Sequence, residues 1–116
     1  MIESSAQNSK VLVIGAGLAG TEAALFLAKH NVRVVLVESK RVKPNPAQKS
    51  LNFGELVCTN SLKSLRPQSA HGLLKQEMFG LDSEILKACM KWKVPAGDAL
   101  AVDREKFAEE LTNRLS

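Results

Sequence analysis

The stretch Lys10-Val-Leu-Val-Ile-Gly-Ala-Gly-Leu-Ala-Gly20 decides the fold. Its apolar run, Val11 to Ile14, reads as a buried parallel strand. The run leads into Gly15-x-Gly17-x-x-Gly20, and a helix-like stretch rich in Ala and Leu follows. A second apolar run, Val32 to Val37, ends on Glu38. Strand, glycine turn, helix, strand and acid, in that order, form the dinucleotide-binding fingerprint in its proper context. Gly15 permits the tight turn, Gly17 lets the backbone approach a pyrophosphate, and Gly20 lets the helix pack on the strand. Ala16, Leu18 and Ala19 fill the rest of the loop. The helix N-terminus offers free N–H groups and a partial positive charge to phosphates. Glu38 is placed to accept hydrogen bonds from ribose hydroxyls. It would repel a 2′-phosphate, so FAD or NAD fits better than NADP. The bland alternative is a glycine turn that only packs a helix on a sheet.

At 116 residues the chain has room for one domain. A hydrophobic fraction of 45% with 24% charged residues is that of a soluble globular protein. No apolar run is long enough to span a bilayer, and the opening residues lack an apolar signal core, so a cytoplasmic protein with no membrane partner is expected. Cys58 and Cys89 make no Cys-x-x-Cys pair, and only His30 and His71 could join them, so neither a metal site nor a structural disulfide is expected. The formal net charge of +4 suits a polyanion such as RNA, and equally an ordinary solvated surface. A complete doubly wound FAD domain needs more strands than these. The expected class is α/β: a Rossmann-like FAD-binding βαβ unit followed by several helices, apparently incomplete.

Along the chain the reading is a flexible leader over 1–9, then the N-terminal part of an FAD-binding domain over 10–116. Strands are expected over 10–15 and 32–37, with a helix over 18–29 between them. Asn31 stands where a left-handed cap closes that helix. Residues 39–52 read as a basic loop held open by Pro44 and Pro46, either a connector or a contact for phosphate or RNA. Residues 53–62 read as a turn or short helix. Helices are expected over 71–79, with Leu73, Leu74 and Met78 on its packed side, and over 83–93, with Ile85, Cys89 and Trp92 in register. A short strand over 99–102 precedes Asp103, which caps a last helix over 104–115 striped with Phe107, Leu111 and Leu115.

Cys58, flanked by polar residues in Glu55-Leu-Val-Cys-Thr-Asn-Ser61, is the candidate nucleophile. Its alternative is a small buried hydrophobe. Cys89, Trp92, Met78 and Met90 read as packing residues, and His71 as structural or at the surface.

Several blocks resemble the folate- and FAD-dependent tRNA (uracil-5-)-methyltransferase family. They are Gly15-Ala-Gly-Leu-Ala-Gly20-Thr-Glu-Ala-Ala24, Glu55-Leu-Val-Cys-Thr-Asn-Ser-Leu62, Gly72-Leu-Leu-Lys-Gln-Glu-Met78, Leu81-Asp-Ser83, Val94-Pro-Ala-Gly97 and Ala99-Leu-Ala-Val-Asp-Arg104. The resemblance implies formation of 5-methyluridine in the tRNA T-loop, or in ribosomal RNA for some relatives. It implies FAD as cofactor, with 5,10-methylenetetrahydrofolate and NAD(P)H as co-substrates. By position, Gly15, Ala16, Gly17, Leu18, Ala19, Gly20, Glu38 and Lys40 would be cofactor-binding. Cys58 would assist at the flavin and uracil. The chain departs from the family at Ser39-Lys40-Arg41, where Met-Arg-Pro is usual, and at Gln48-Lys49-Ser50-Leu51, where histidines and an Asp are usual. Family members are also several times longer. The alternatives are a non-catalytic dinucleotide-binding remnant and a flavin oxidoreductase with another substrate.

Overall fold

A computed structural model of the chain describes residues 9–116. The expected leader over 1–9 thus lies, but for Ser9, outside the described residues. The glycine stretch folds as a βαβ unit. Strand β1 (Val11–Ile14) and strand β2 (Val34–Val37) pair in parallel, Val11 opposite Val34 and Ile14 opposite Val37. Helix α1 (Leu18–Lys29) makes the crossover. It ends at His30, and Asn31 takes the left-handed conformation (φ 61°) that reverses the chain toward β2.

A second sheet is antiparallel, with β5 at its centre: β3 (Ser61–Ser64), β5 (Ala99–Val102) and β4 (Lys93–Val94), in the order β3-β5-β4. Between its strands lie helices α2 (Ala70–Gly80) and α3 (Glu84–Lys91), and α4 (Arg104–Leu115) follows it. Strand β3 was expected as part of a turn or helix, and β4 as the tail of a helix. Ser-Leu-Lys-Ser has no apolar alternation and Lys63 sits at φ 70°, so β3 is strand only because β5 pairs with it. The side chains of Ser69, Ser83 and Asp103 cap α2, α3 and α4.

The core lies between α1, α3, β5 and α4. Leu25, Ile85, Leu86, Cys89, Leu100, Val102, Phe107 and Leu111 are buried there, and Leu115 and Trp92 pack on its margin. The stripe expected on α4 and the register expected on α3 are both present. Two expectations are corrected. The parallel strands are not buried: Leu12 is 58% and Ile14 79% exposed. Their sheet packs on α1, and among the described residues no other element makes a substantial contact with it. Leu73 and Leu74 of α2 and Met90 of α3 were expected to pack and are instead about half exposed; for Leu73 and Leu74 the reason is that α2 meets β3 and α3 only along one edge.

Candidate functional site

Each glycine of the opening motif does a different physical job. Gly15 has φ +99°, a conformation that an L side chain rarely adopts, and its N–H extends the β1–β2 ladder to Val37 O at 2.7 Å. A Cβ at Gly20 would overlap the carbonyl oxygen of Gly15, so the bare Cα allows helix and turn to touch. A Cβ at Gly17 would meet nothing within 4 Å. The space over Gly17 is open, and Gly17 is also the N-cap of α1. Among the described residues no side chain caps this helix end, and no acid occupies its first turn. Leu18 and Ala19 open that turn. An uncapped helix N-terminus under open space fits a diphosphate.

Ala16, 2% exposed, is the hub of the site. Its N–H donates to Glu38 Oε2 at 2.7 Å, and Lys40 N–H donates to Glu38 Oε1 at 2.9 Å. The Ala16 bond, then the Lys40 bond, hold the Glu38 carboxyl below its ordinary range. A carboxylate fixed at the end of β2 and tied to the glycine loop suits a ribose diol. These residues fit the nucleotide half of FAD, which when bound supplies redox chemistry at its ring.

Lys40 was expected among the cofactor-binding residues. Its side chain is 3% exposed, and its ammonium donates to Asn52 O and to Glu55 Oε2, the latter at 2.9 Å. What it gives the seat is its backbone N–H on Glu38. Glu55 Oε1 also accepts the N–H groups of Lys49 and Ser50, at 2.8 and 3.0 Å. Burial works against ionisation of Glu55, and the bonds from Lys49 and Lys40 outweigh it, so its carboxyl also lies below its ordinary range. The next link closes a ring: Gly54 N–H donates to Ala16 O at 2.8 Å. Gly54 has φ +64°, and a Cβ there would lie 2.6 Å from Leu111 Cδ1 of α4. The basic loop therefore holds one buried cation, while Lys43 and Lys49 are exposed and Arg41 lies over the Phe53 ring at 4.9 Å.

Cys58 is exposed, four residues along from Gly54. It borders a depression of about 590 Å³ with Thr59, Asn60 and Arg104. Its segment is pinned on both sides. Phe53 N–H donates to Thr112 Oγ1 at 2.7 Å, Asn60 exchanges two hydrogen bonds with Val102, and Arg104 Nη1 donates to Leu56 O at 3.4 Å. Cys89 is the opposite case: fully buried, with burial, and then the nearby Glu22 charge, pushing its thiol up to about 12. His71 is exposed on α2, at the edge of an apolar cleft of about 790 Å³ between α1, α2 and α3. Among the described residues no cluster of three or more His, Cys, Asp or Glu could hold a metal ion, and no helix is long and apolar enough to cross a membrane.

Glu55, Gly54 and the cleft are what sequence reasoning missed. A glycine followed directly by an acid, ahead of the candidate cysteine, was the available signal for the first two.

Residues 10–116 match the family model described as glucose inhibited division protein A. The chain is 54% identical over 107 residues to the methylenetetrahydrofolate--tRNA-(uracil-5-)-methyltransferase TrmFO of Lactobacillus delbrueckii subsp. bulgaricus, covering 92% of this chain and 24% of that protein. It is 55% identical over 108 residues to the protein of the same name from Fervidobacterium nodosum, covering 93% and 25%. For the Bacillus subtilis protein of that name the identity is 54% over 105 residues, covering 90% and 24%. The chain spans about a quarter of the length of these curated relatives.

Proposed function

We propose a function from one premise: the chain belongs to the glucose inhibited division protein A family. It acts as the N-terminal, FAD-holding portion of an RNA (uracil-5-)-methyltransferase that works in the cytoplasm. The substrate is the T-loop uridine of tRNA. The one-carbon donor is 5,10-methylenetetrahydrofolate, and NAD(P)H is the reductant. The observation that carries this reading is the seat itself: the open, uncapped start of α1 beside a Glu38 carboxylate held on Ala16 N–H. The names of the relatives support the reaction and the RNA substrate.

The chain's residues divide the work. Gly15, Ala16, Gly17, Leu18, Ala19 and Gly20 form the seat: Gly15 and Ala16, bonded to Val37, Glu38 and Gly54, fix the loop, and Gly20 lets the helix approach it. The start of α1 at Gly17, Leu18 and Ala19 presents backbone to the diphosphate, and Glu38 accepts from the ribose hydroxyls. FAD, when bound, supplies the electrons that bring the transferred carbon to the methyl level. Cys58 supplies a thiolate. Uracil C5 is a poor nucleophile, and addition of a thiolate at C6 turns C5 into an enolate carbon able to attack an electrophilic methylene. Loss of the C5 proton would then release tetrahydrofolate and leave an exocyclic methylene, and delivery of two electrons and a proton to that carbon as hydride would expel the Cys58 thiolate from C6 and complete the methyl group.

The test is methyl incorporation into T-loop RNA by the polypeptide that carries this chain, supplied with methylenetetrahydrofolate, FAD and NAD(P)H. Replacing Cys58 by Ser should lower turnover by at least roughly a hundredfold while FAD stays bound. Turnover with S-adenosylmethionine alone would contradict the folate reading, and unchanged turnover in Cys58→Ser would remove Cys58 from the reaction.

A further inference from the structure

We infer that the Lys40–Glu55 pair is a latch joining the nucleotide seat to the segment that carries Cys58, and that both residues are positioning residues. The inference rests on the proposed seat and deepens it. The two regions are separate in sequence, and the bonds between them form a closed circuit. Ala16 N–H holds Glu38, Glu38 also holds Lys40 N–H, the Lys40 ammonium holds Glu55 and Asn52 O, and Gly54 N–H returns to Ala16 O. The pair is dry enough to matter, with side chains 3% and 12% exposed. A lysine this buried is held only by its partners, since an isolated buried ammonium is costly. The two members divide the connection. Lys40 meets the seat through its backbone and the cysteine segment through its side chain. Glu55 shapes the loop ahead of it through Lys49 and Ser50, and stands three residues before Cys58. A conformational change at either end is therefore transmitted to the other, and by linkage the coupling is reciprocal.

The experiment is amide hydrogen exchange by NMR on this chain without ligand. Breaking one member would strand a buried charge, so the informative variant is the double replacement Lys40→Met with Glu55→Gln, which leaves none. The Ala16 and Gly54 amides should exchange roughly tenfold faster in it, although neither touches a substituted side chain. Core amides of Leu86, Leu100 and Phe107 should be unchanged, and Lys40→Arg should exchange like the natural chain. Unchanged Ala16 and Gly54 amides would overturn the latch. So would equal acceleration of the core, which would make the pair a general stabiliser. A second arm adds ADP. It should slow exchange at Ala16 and, through the latch, at Lys49 and Ser50; protection confined to Ala16 would overturn the inference. If the variant effects appear and ADP protects nothing, the latch stands and the nucleotide seat fails.

Discussion

Two glycines of one motif, three residues apart, are required for opposite reasons. Gly20 is needed by the fold and Gly17 by the ligand. A methyl at Gly20 meets the Gly15 carbonyl, with its carbon 2.9 Å away, and backbone cannot yield as a side chain does. Gly20→Ala should therefore destabilise the chain by about 3 kcal/mol or more in urea denaturation. A methyl at Gly17 enters open space, so Gly17→Ala should unfold within about 1 kcal/mol of the natural chain. That methyl occupies the space a diphosphate needs, and FAD binding by the intact flavoprotein, read by fluorescence titration, should fall at least roughly tenfold. Equal stability of the two variants would mean that Gly20 does not carry the helix contact. The motif showed which positions had to be glycine. The reason for each became visible only with neighbouring atoms in place.

Among the elements, α3 depends on residues from two other helices. Glu22 of α1 accepts the Glu84 N–H at 2.8 Å and also bonds Ser83, so a carboxylate from another helix joins the local cap. Glu84, 7% exposed, bonds Arg114 of α4 and Lys29 of α1. Burial raises its carboxyl, but the bonds from Arg114, Lys29 and Lys87 outweigh burial and bring it from 4.5 to about 2. The folded-state value is depressed, so this stabilisation is complete above the unfolded value of 4.5 and is lost as pH falls toward 2. The partner cations are more than a third exposed, so solvent screens part of the effect, leaving about 2 kcal/mol. Glu84→Gln should flatten that part of the pH dependence of unfolding; an unchanged acid limb would assign it to other carboxylates. The helix boundaries were legible because propensity and cap residues agree at Leu18–Lys29 and Arg104–Leu115. Strand β3 was not, because its signal is a pairing with residues far along the chain.

At the level of the molecule, the βαβ unit presents an apolar sheet face that no other described element covers. Leu12, Ile14, Val35 and Val37 are between 41% and 79% exposed, beside a strand edge that pairs with nothing among the described residues. Such a surface associates in water. The chain should show concentration-dependent association by analytical ultracentrifugation, and Leu12→Lys with Ile14→Lys should shift it toward monomer. Equal sedimentation of the two would mean the sheet face is not the contact. The sequence alone determined the βαβ order, the turn, the acid at its end and the cysteine block, because each depends on spacing within a few turns of chain. Tertiary structure decided what those pieces do to one another. It buried the Lys40 cation on Glu55, tied Gly54 to Ala16 and left the parallel strands in solvent. Burial and cross-chain hydrogen bonds depend on distance in space, and local spacing carries no record of that distance.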